Sequence, residues 1–275
     1  MLEIRRGCRA PLARARRGLR EPEAALSARY AAIFFDLFDT LVHFDREKLP
    51  TVEIRGKVVR STAGCLHELL QAHAPGVTLP ACYDALLASW QEAERQRAID
   101  HREVAARQRF HDFFARLDLE PAPAVVQALI DAHRAALAAA ATFPAHYGSL
   151  LRRLAKTHRL AVVSNFDYSP TALAILDAAG VRNLFAAVVV SDAVGWRKPR
   201  PDIFRHAIDA TGADPARTLF VGDKVDLDVA GAHLVGMDAA WINPDGEPLP
   251  AGVRPPEYEI RDLAELEPIV AAARS

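Results

Sequence analysis

The stretch Ala31–Leu41, AAIFFDLFDTL, passes from an uninterrupted apolar segment straight into a carboxylate, Asp36. A short apolar run that stops at a polar residue is the pattern of a strand buried on both faces. Four more such runs follow, at Leu160–Val163, Ala186–Val190, Thr218–Val221 and Ala239–Ile242. Helical patterns separate them, near Tyr147–His158, Pro170–Ala179, Asp202–Thr211 and Asp226–Val235. Strands alternating with helices predict an α/β fold, a Rossmann-like parallel sheet with helices on both faces. Ligands of such sheets sit beyond the carboxyl ends of the strands, so the residues that close each run carry the functional reading.

Four strand ends have distinctive closures. The first is Asp36-Leu37-Phe38-Asp39-Thr40 and the second Ser164-Asn165. The third run leads into the segment Ser191–Pro199, which contains Lys198, and the fourth ends in Gly222-Asp223 with Asp228 five positions on. The topology predicts that Asp36, Ser164, Lys198, Asp223 and Asp228 meet at one rim. Three carboxylates there form an oxygen-rich site suited to Mg²⁺. A metal and a lysine together would neutralise an incoming anion and let a carboxylate attack it, with Ser164 donating to the anion's oxygens.

More than 100 residues separate the first two runs, with no convincing strand among them. Tyr83, Leu86, Leu87 and Trp90 follow helical spacing, as do Phe110, Phe113, Phe114 and Leu117, and Val126, Leu129 and Ile130. Each stripe reads as packing between helices. The simplest organisation is an all-helical module over residues 46–144, inserted into a core made of 30–45 and 145–275. The passages near Phe44–Leu49 and Thr142–Tyr147 would be its hinges. Within the module, Gln91–Arg109 is dense in charge, including Arg95, Arg97, Arg102, Arg107 and Arg109. The segment reads as a solvated helical face, the alternative being that one or two arginines hold an anionic substrate.

Residues 1–29 form an Arg-rich arm, with seven arginines between Arg5 and Arg20. The arm has the acid-poor look of a transit peptide but no apolar signal core, and reads as a solvated extension. A net charge of −1 gives no global attraction to nucleic acid or an anionic membrane, so a small-molecule substrate is expected. No apolar stretch approaches the roughly 18 residues of a membrane span. Cys8, Cys65 and Cys82 lack paired or metal-type spacing, and a reducing cytoplasmic setting is expected.

The four closures, in order at strand ends, make the chain from Ala31 to Ala273 resemble the haloacid dehalogenase (HAD) superfamily, in the branch with a helical cap after the first motif. The resemblance implies a HAD-like hydrolase, most simply a Mg²⁺-dependent phosphatase of a small phosphorylated metabolite. By it Asp36 is the nucleophile, Thr40 supports the first motif, and Ser164, Asn165 and Lys198 bind the phosphoryl group. Asp223, Asp228, Asp36 and the backbone carbonyl of Phe38 would hold Mg²⁺. HAD phosphatases usually carry a second Asp two residues after the nucleophile, as acid and base; here Phe38 stands there and a carboxylate follows at Asp39. Haloacid dehalogenases also lack that second Asp, because halide leaves without a proton, but they usually lose the signature kept here as Gly222-Asp223. A non-catalytic phosphate- or partner-binding role is a third reading. His43, Asp45 and His101 are candidates to replace the missing acid.

Overall fold

A computed structural model describes residues 29–271. Its core is a six-stranded parallel sheet in the order β10-β9-β8-β1-β6-β7. These strands are β1 (Ala32–Phe35), β6 (Arg159–Ser164), β7 (Phe185–Val190), β8 (Thr218–Gly222), β9 (Asp238–Ile242) and β10 (Tyr258–Ile260). Five match the apolar runs of the sequence. The edge strand β10 has three residues, too few for a periodic signal, and is defined by parallel pairing with β9. All four residues of β1 are buried, which suits the strand flanked on both sides, by β8 and β6.

Alternate residues of the strands feed two separate cores, as a two-residue period requires. On one face Ile33, Phe35, Val162 and Val221 pack with Leu151 and Leu154 of a helix at Ala145–Leu154 and Leu176 of another at Ser169–Ala178. On the other, Phe34, Val163 and Phe220 pack with Ile203, Phe204 and Ala207 of the helix Pro201–Thr211. Gly231 admits this second layer: a Cβ there would lie 2.4 Å from the Phe204 ring.

The insertion has its own core. Helices α1 (Ala63–Gln71), α2 (Leu79–Asp100), α3 (Ala106–Arg116) and α4 (Pro123–Ala139) enclose Leu66, Leu70, Leu86, Phe110, Phe113, Phe114, Val126, Leu129 and Ile130. Two expectations need correction. The insertion is not all-helical: β3 (Thr51–Ile54) and β4 (Lys57–Arg60) form an antiparallel hairpin ahead of α1. Its two-residue turn, Arg55-Gly56, has both φ angles positive, at 51° and 76°, the geometry that matches the twist of paired strands. The α2 stripe is also split: Leu86 is buried in the insertion's core and Tyr83 packs against it, but the other half is not. Small residues Cys82, Ala85, Ser89 and Ala93 bury the packing face, while Leu87 and Trp90 are exposed, Trp90 at 49%.

Insertion and core meet along two lines. The chain crosses through β2 (His43–Phe44) and β5 (Ala141–Thr142), which pair antiparallel. A second seam joins residues 101–103 to 195–197, where Arg197 N donates to the His101 carbonyl and Glu103 N to the Gly195 carbonyl. The Trp196 ring lies between the guanidinium groups of Arg102 and Arg200, 4.6 and 3.9 Å from its centroid. Beneath it the Glu103 carboxylate, 1% exposed, accepts from Arg97 at 2.9 Å, from Arg197 at 2.6 Å and from the Ser191 hydroxyl. No helix among the described residues is long and apolar enough to cross a membrane. The expected arm at 1–29 falls, apart from Arg29, outside the described residues.

Removing one member of a buried ion pair leaves its partners uncompensated, at a cost of about 3–5 kcal/mol. Glu103→Gln is therefore expected to lower the thermal midpoint clearly, while the same change at surface-facing Glu92 alters stability by no more than about 0.5 kcal/mol. Differential scanning calorimetry of the two variants checks this.

Candidate active site

β1 delivers Asp36 to the middle of the sheet's carboxyl edge, its backbone N–H donating to the Val221 carbonyl of β8 at 2.9 Å. Lys198 reaches it from the segment after β7. The ammonium lies 2.5 Å from Asp36 Oδ1 and 2.7 Å from Asp228 Oδ1, and Lys198 is 2% exposed. Asn165, expected to bind substrate, uses its side chain on Lys198 instead. Its Oδ1 accepts from the Lys198 N–H and its Nδ2 donates to the Lys198 carbonyl.

Asp228 sits on a widened turn, the π-helical segment Val225–Val229, a local irregularity common at functional sites. Its Oδ2 accepts from Lys224 N at 3.0 Å. Gly222 makes room for it, since a Cβ there would lie 2.4 Å from the Asp228 carboxylate. Asp223 completes the group, with Lys224 Nζ 2.7 Å from its carboxylate and Trp241 Nε1 donating to its carbonyl. One carboxylate oxygen from each of Asp36, Asp223 and Asp228 lies within 4.8 Å of the others.

The electrostatics of this group favour a cation. Burial raises the Asp36 carboxyl to about 7, with Lys198 opposing the rise and Asp228 and Asp223 adding to it. Burial also raises Asp223, against the pull of Lys224. Lys198 loses solvation by burial, yet the Asp228 and Asp36 charges outweigh that and raise it. Three carboxylates with two lysines leave negative charge that a hard divalent ion would offset, and an all-oxygen donor set suits Mg²⁺. The Ser164 Oγ and Thr40 Oγ1 atoms are both buried without a hydrogen-bond partner. An orphaned buried hydroxyl at the mouth of such a site is a donor waiting for an acceptor.

Phe38 points its ring into an aromatic cluster, 4.9 Å from the Phe166 centroid and 6.4 Å from that of Phe44. Asp39 adopts a left-handed conformation at φ 58°, is exposed, and accepts from the Phe44 N–H at 3.1 Å. Of the other acid candidates, His43 lines one cavity with Asp39 and Asp223, while Asp45 and His101 are engaged elsewhere. Asp45 caps the turn at Arg46–Lys48, His43 lies against Tyr147, and His101 terminates α2 at the seam.

The charged segment of α2 and α3 divides. Arg95, Arg102 and Arg107 are exposed, whereas Arg97 and Arg109 are buried, so a solvated face is the wrong description for those two. They belong to a network the sequence reading missed. Asp167, three residues beyond Ser164, lies 3.5 Å from Arg97 and 3.4 Å from Arg109, and accepts from Arg134 of α4. Its one visible signal was an acid in a strand-end loop.

The haloacid dehalogenase-like hydrolase family profile matches residues 30–236. A glyceraldehyde 3-phosphate phosphatase of Pyrococcus abyssi is 30% identical over 211 residues, 76% of this chain and 80% of that protein. The pyrimidine 5′-nucleotidase YjjG of Escherichia coli is 29% identical over 163 residues, 59% of this chain and 69% of that protein. Several other curated relatives are matched over about half their length. The magnesium-bound crystal structure of YfnB from Bacillus subtilis shares the fold at TM-score 0.57 and 23% identity, covering 89% of this chain and all of that one. 2-Haloacid dehalogenases share the fold as well. With its parallel sheet, strand-end closures and inserted helices, the chain belongs to the haloacid dehalogenase-like hydrolase family.

Proposed function

We propose that this chain is a Mg²⁺-dependent phosphohydrolase that transfers a phosphoryl group to Asp36. The observation that carries the reading is the cluster of Asp36, Asp223 and Asp228 around the buried Lys198 ammonium. The phosphatase and nucleotidase relatives support the same class. Asp36, Asp223, Asp228 and the Phe38 backbone carbonyl would hold the ion, which when bound neutralises phosphoryl charge and orients it toward Asp36.

Each residue then has a defined task. An Asp36 oxygen attacks phosphorus, the bond from phosphorus to the ester oxygen breaks, and the leaving group departs with that electron pair. Lys198 opposes the rise that burial imposes on Asp36, so favouring its anion, and offsets charge on the phosphoryl oxygens. The Ser164 hydroxyl donates to one of those oxygens, which gives its orphaned donor an acceptor. Water then attacks the phosphorus of the aspartyl-phosphate, frees Asp36 and leaves inorganic phosphate. Thr40, fully buried, supports the loop that carries Asp36. Asn165 holds the Lys198 backbone in register and so fixes the ammonium.

Phe38 shapes the substrate preference. Its ring can neither give nor take a proton, and Asp39 is held by the Phe44 amide. Departure therefore depends on how stable the leaving oxygen is as an anion. Dehalogenation is the second reading, since halide needs no proton; the retained acidic cluster weighs against it.

Chelation separates the two readings. Excess EDTA should abolish hydrolysis of p-nitrophenyl phosphate and added Mg²⁺ should restore it. Undiminished turnover in EDTA, with chloride released from 2-chloropropionate, would replace the phosphatase reading by the dehalogenase one.

The absent acid has its own signature. Aryl phosphates should turn over much faster than alkyl phosphates, and Phe38→Asp should raise alkyl turnover by about 10²-fold or more, the scale of general acid–base catalysis. A wild type equally fast on both classes and crippled by Asp39→Asn would assign the proton to Asp39.

A further inference from the structure

Between insertion and core lies a cavity of about 400 Å³. It begins at Asn165 and Phe166, directly after Ser164, and extends under α2, α3 and α4. Its apolar lining includes Tyr83, Leu86, Leu137 and Phe166, with exposed Leu87 and Trp90 on its boundary. Leu87 and Trp90, which α2 keeps out of its own packing core, thus border this space.

The charged lining is lopsided. Arg60, Arg97, Arg109, Arg134 and Arg197 border the cavity, and among its described lining residues Asp167 is the one carboxylate. Three of the five have acids besides Asp167: Arg60 pairs with Glu47, Arg97 with Glu94 and Glu103, and Arg197 with Glu103. Arg109 and Arg134 have only Asp167 to share, and Arg97 also leans on it. Arg109 stands 3.4 Å from that carboxylate, and neither its Nε nor the Nε of Arg134 has a hydrogen-bond partner. Burial, with Arg134 and Arg97 adding to it against Asp167, holds Arg109 down to about 10. A latch between insertion and core needs one acid per cation. Here a buried guanidinium is left over, at a site where an uncompensated charge is costly.

We propose that this cavity is a subsite for a second anionic group, so that preferred substrates carry a carboxylate or a second phosphate on an apolar or ring-shaped body. Arg109 and Arg134 would be the groups that hold it, in a fork suited to either oxyanion. The inference rests on the phosphohydrolase reading for the other end of the substrate. It makes the arginines specificity residues and leaves the chemistry to the Asp36 rim.

A matched pair of aryl esters tests it. 4-Carboxyphenyl and 4-carbamoylphenyl phosphate have nearly the same shape and differ by one charge. Wild-type kcat/KM should favour the carboxylate by about tenfold or more, the scale of one charge-assisted hydrogen bond. In Arg109→Met that ratio should fall to within about threefold of one, carried mainly by KM, and Arg109→Lys should restore part of it. A variant that slows both esters equally, with the ratio intact, would make Arg109 a purely structural residue and overturn the proposal. Phenylene 1,4-bisphosphate distinguishes the sources: preference for it over the carboxylate ester assigns a second phosphate to the subsite.

Binding separates this inference from the phosphohydrolase reading. Calorimetry with non-hydrolysable 4-carboxybenzyl and 4-carbamoylbenzyl phosphonate should show the same preference in wild type. If no ester is turned over but the carboxylate phosphonate binds about tenfold tighter, the subsite stands and the proposed reaction falls. Equal binding of the two phosphonates to wild type would overturn the subsite, whether or not the variants fold.

Discussion

Everything at the carboxyl edge of the sheet depends on one buried ammonium. Lys198 is enclosed between Asp36 and Asp228, with its backbone clasped on both sides by the Asn165 amide. Without it, adjacent buried carboxylates would repel one another and draw protons, and Asp36 could not serve as the nucleophile proposed for it. Without the carboxylates, burial would strip the lysine of its proton. The pair of constraints explains several local oddities together. Gly222 is small so that Asp228 can fold back over the strand end, and the widened turn at Val225–Val229 aims it there.

A second set of buried charges organises the approach to that rim. Glu103 and Asp167 each gather several guanidinium groups, one at the seam and one just past the Ser164 strand end. With Glu94 also on Arg97, the Glu103 group is balanced, while Asp167 is outnumbered. Matched charges join the insertion to the core, and the unmatched ones are the groups proposed to select by charge. The same residue type, Arg, performs both tasks within a few ångströms because its planar fork can serve several acceptors at once.

How much of this was legible in the sequence follows from the range of the interactions. Apolar runs that end in Asp36, Ser164 and Gly222-Asp223 are local patterns, and they place the sheet and its functional edge directly. The hairpin at Thr51–Arg60 was obscured because its strands have four residues each, and Val52, Ile54 and Val59 alone make up the inward face, too short an alternation to stand out. The arginine network was hidden for a different reason. Arg97 and Arg109 sit among Arg95, Arg102 and Arg107 in an evenly charged segment, and only contact with Asp167, far along the chain, divides buried from solvated. Leu87 and Trp90 obeyed helical spacing yet line a cavity, since periodicity identifies a face without naming what it meets.

The positions of the three tryptophans give the molecule an optical consequence. Trp241 donates to the Asp223 carbonyl beside the acidic cluster, Trp90 borders the cavity, and Trp196 is stacked between one guanidinium from the insertion and one from the core. Indole emission responds to nearby charge and to solvent, so each ring looks onto a different event. The chain thus carries its own fluorophores with which the proposed ion binding at the rim and filling of the cavity, and any parting of the seam, can be followed without a label.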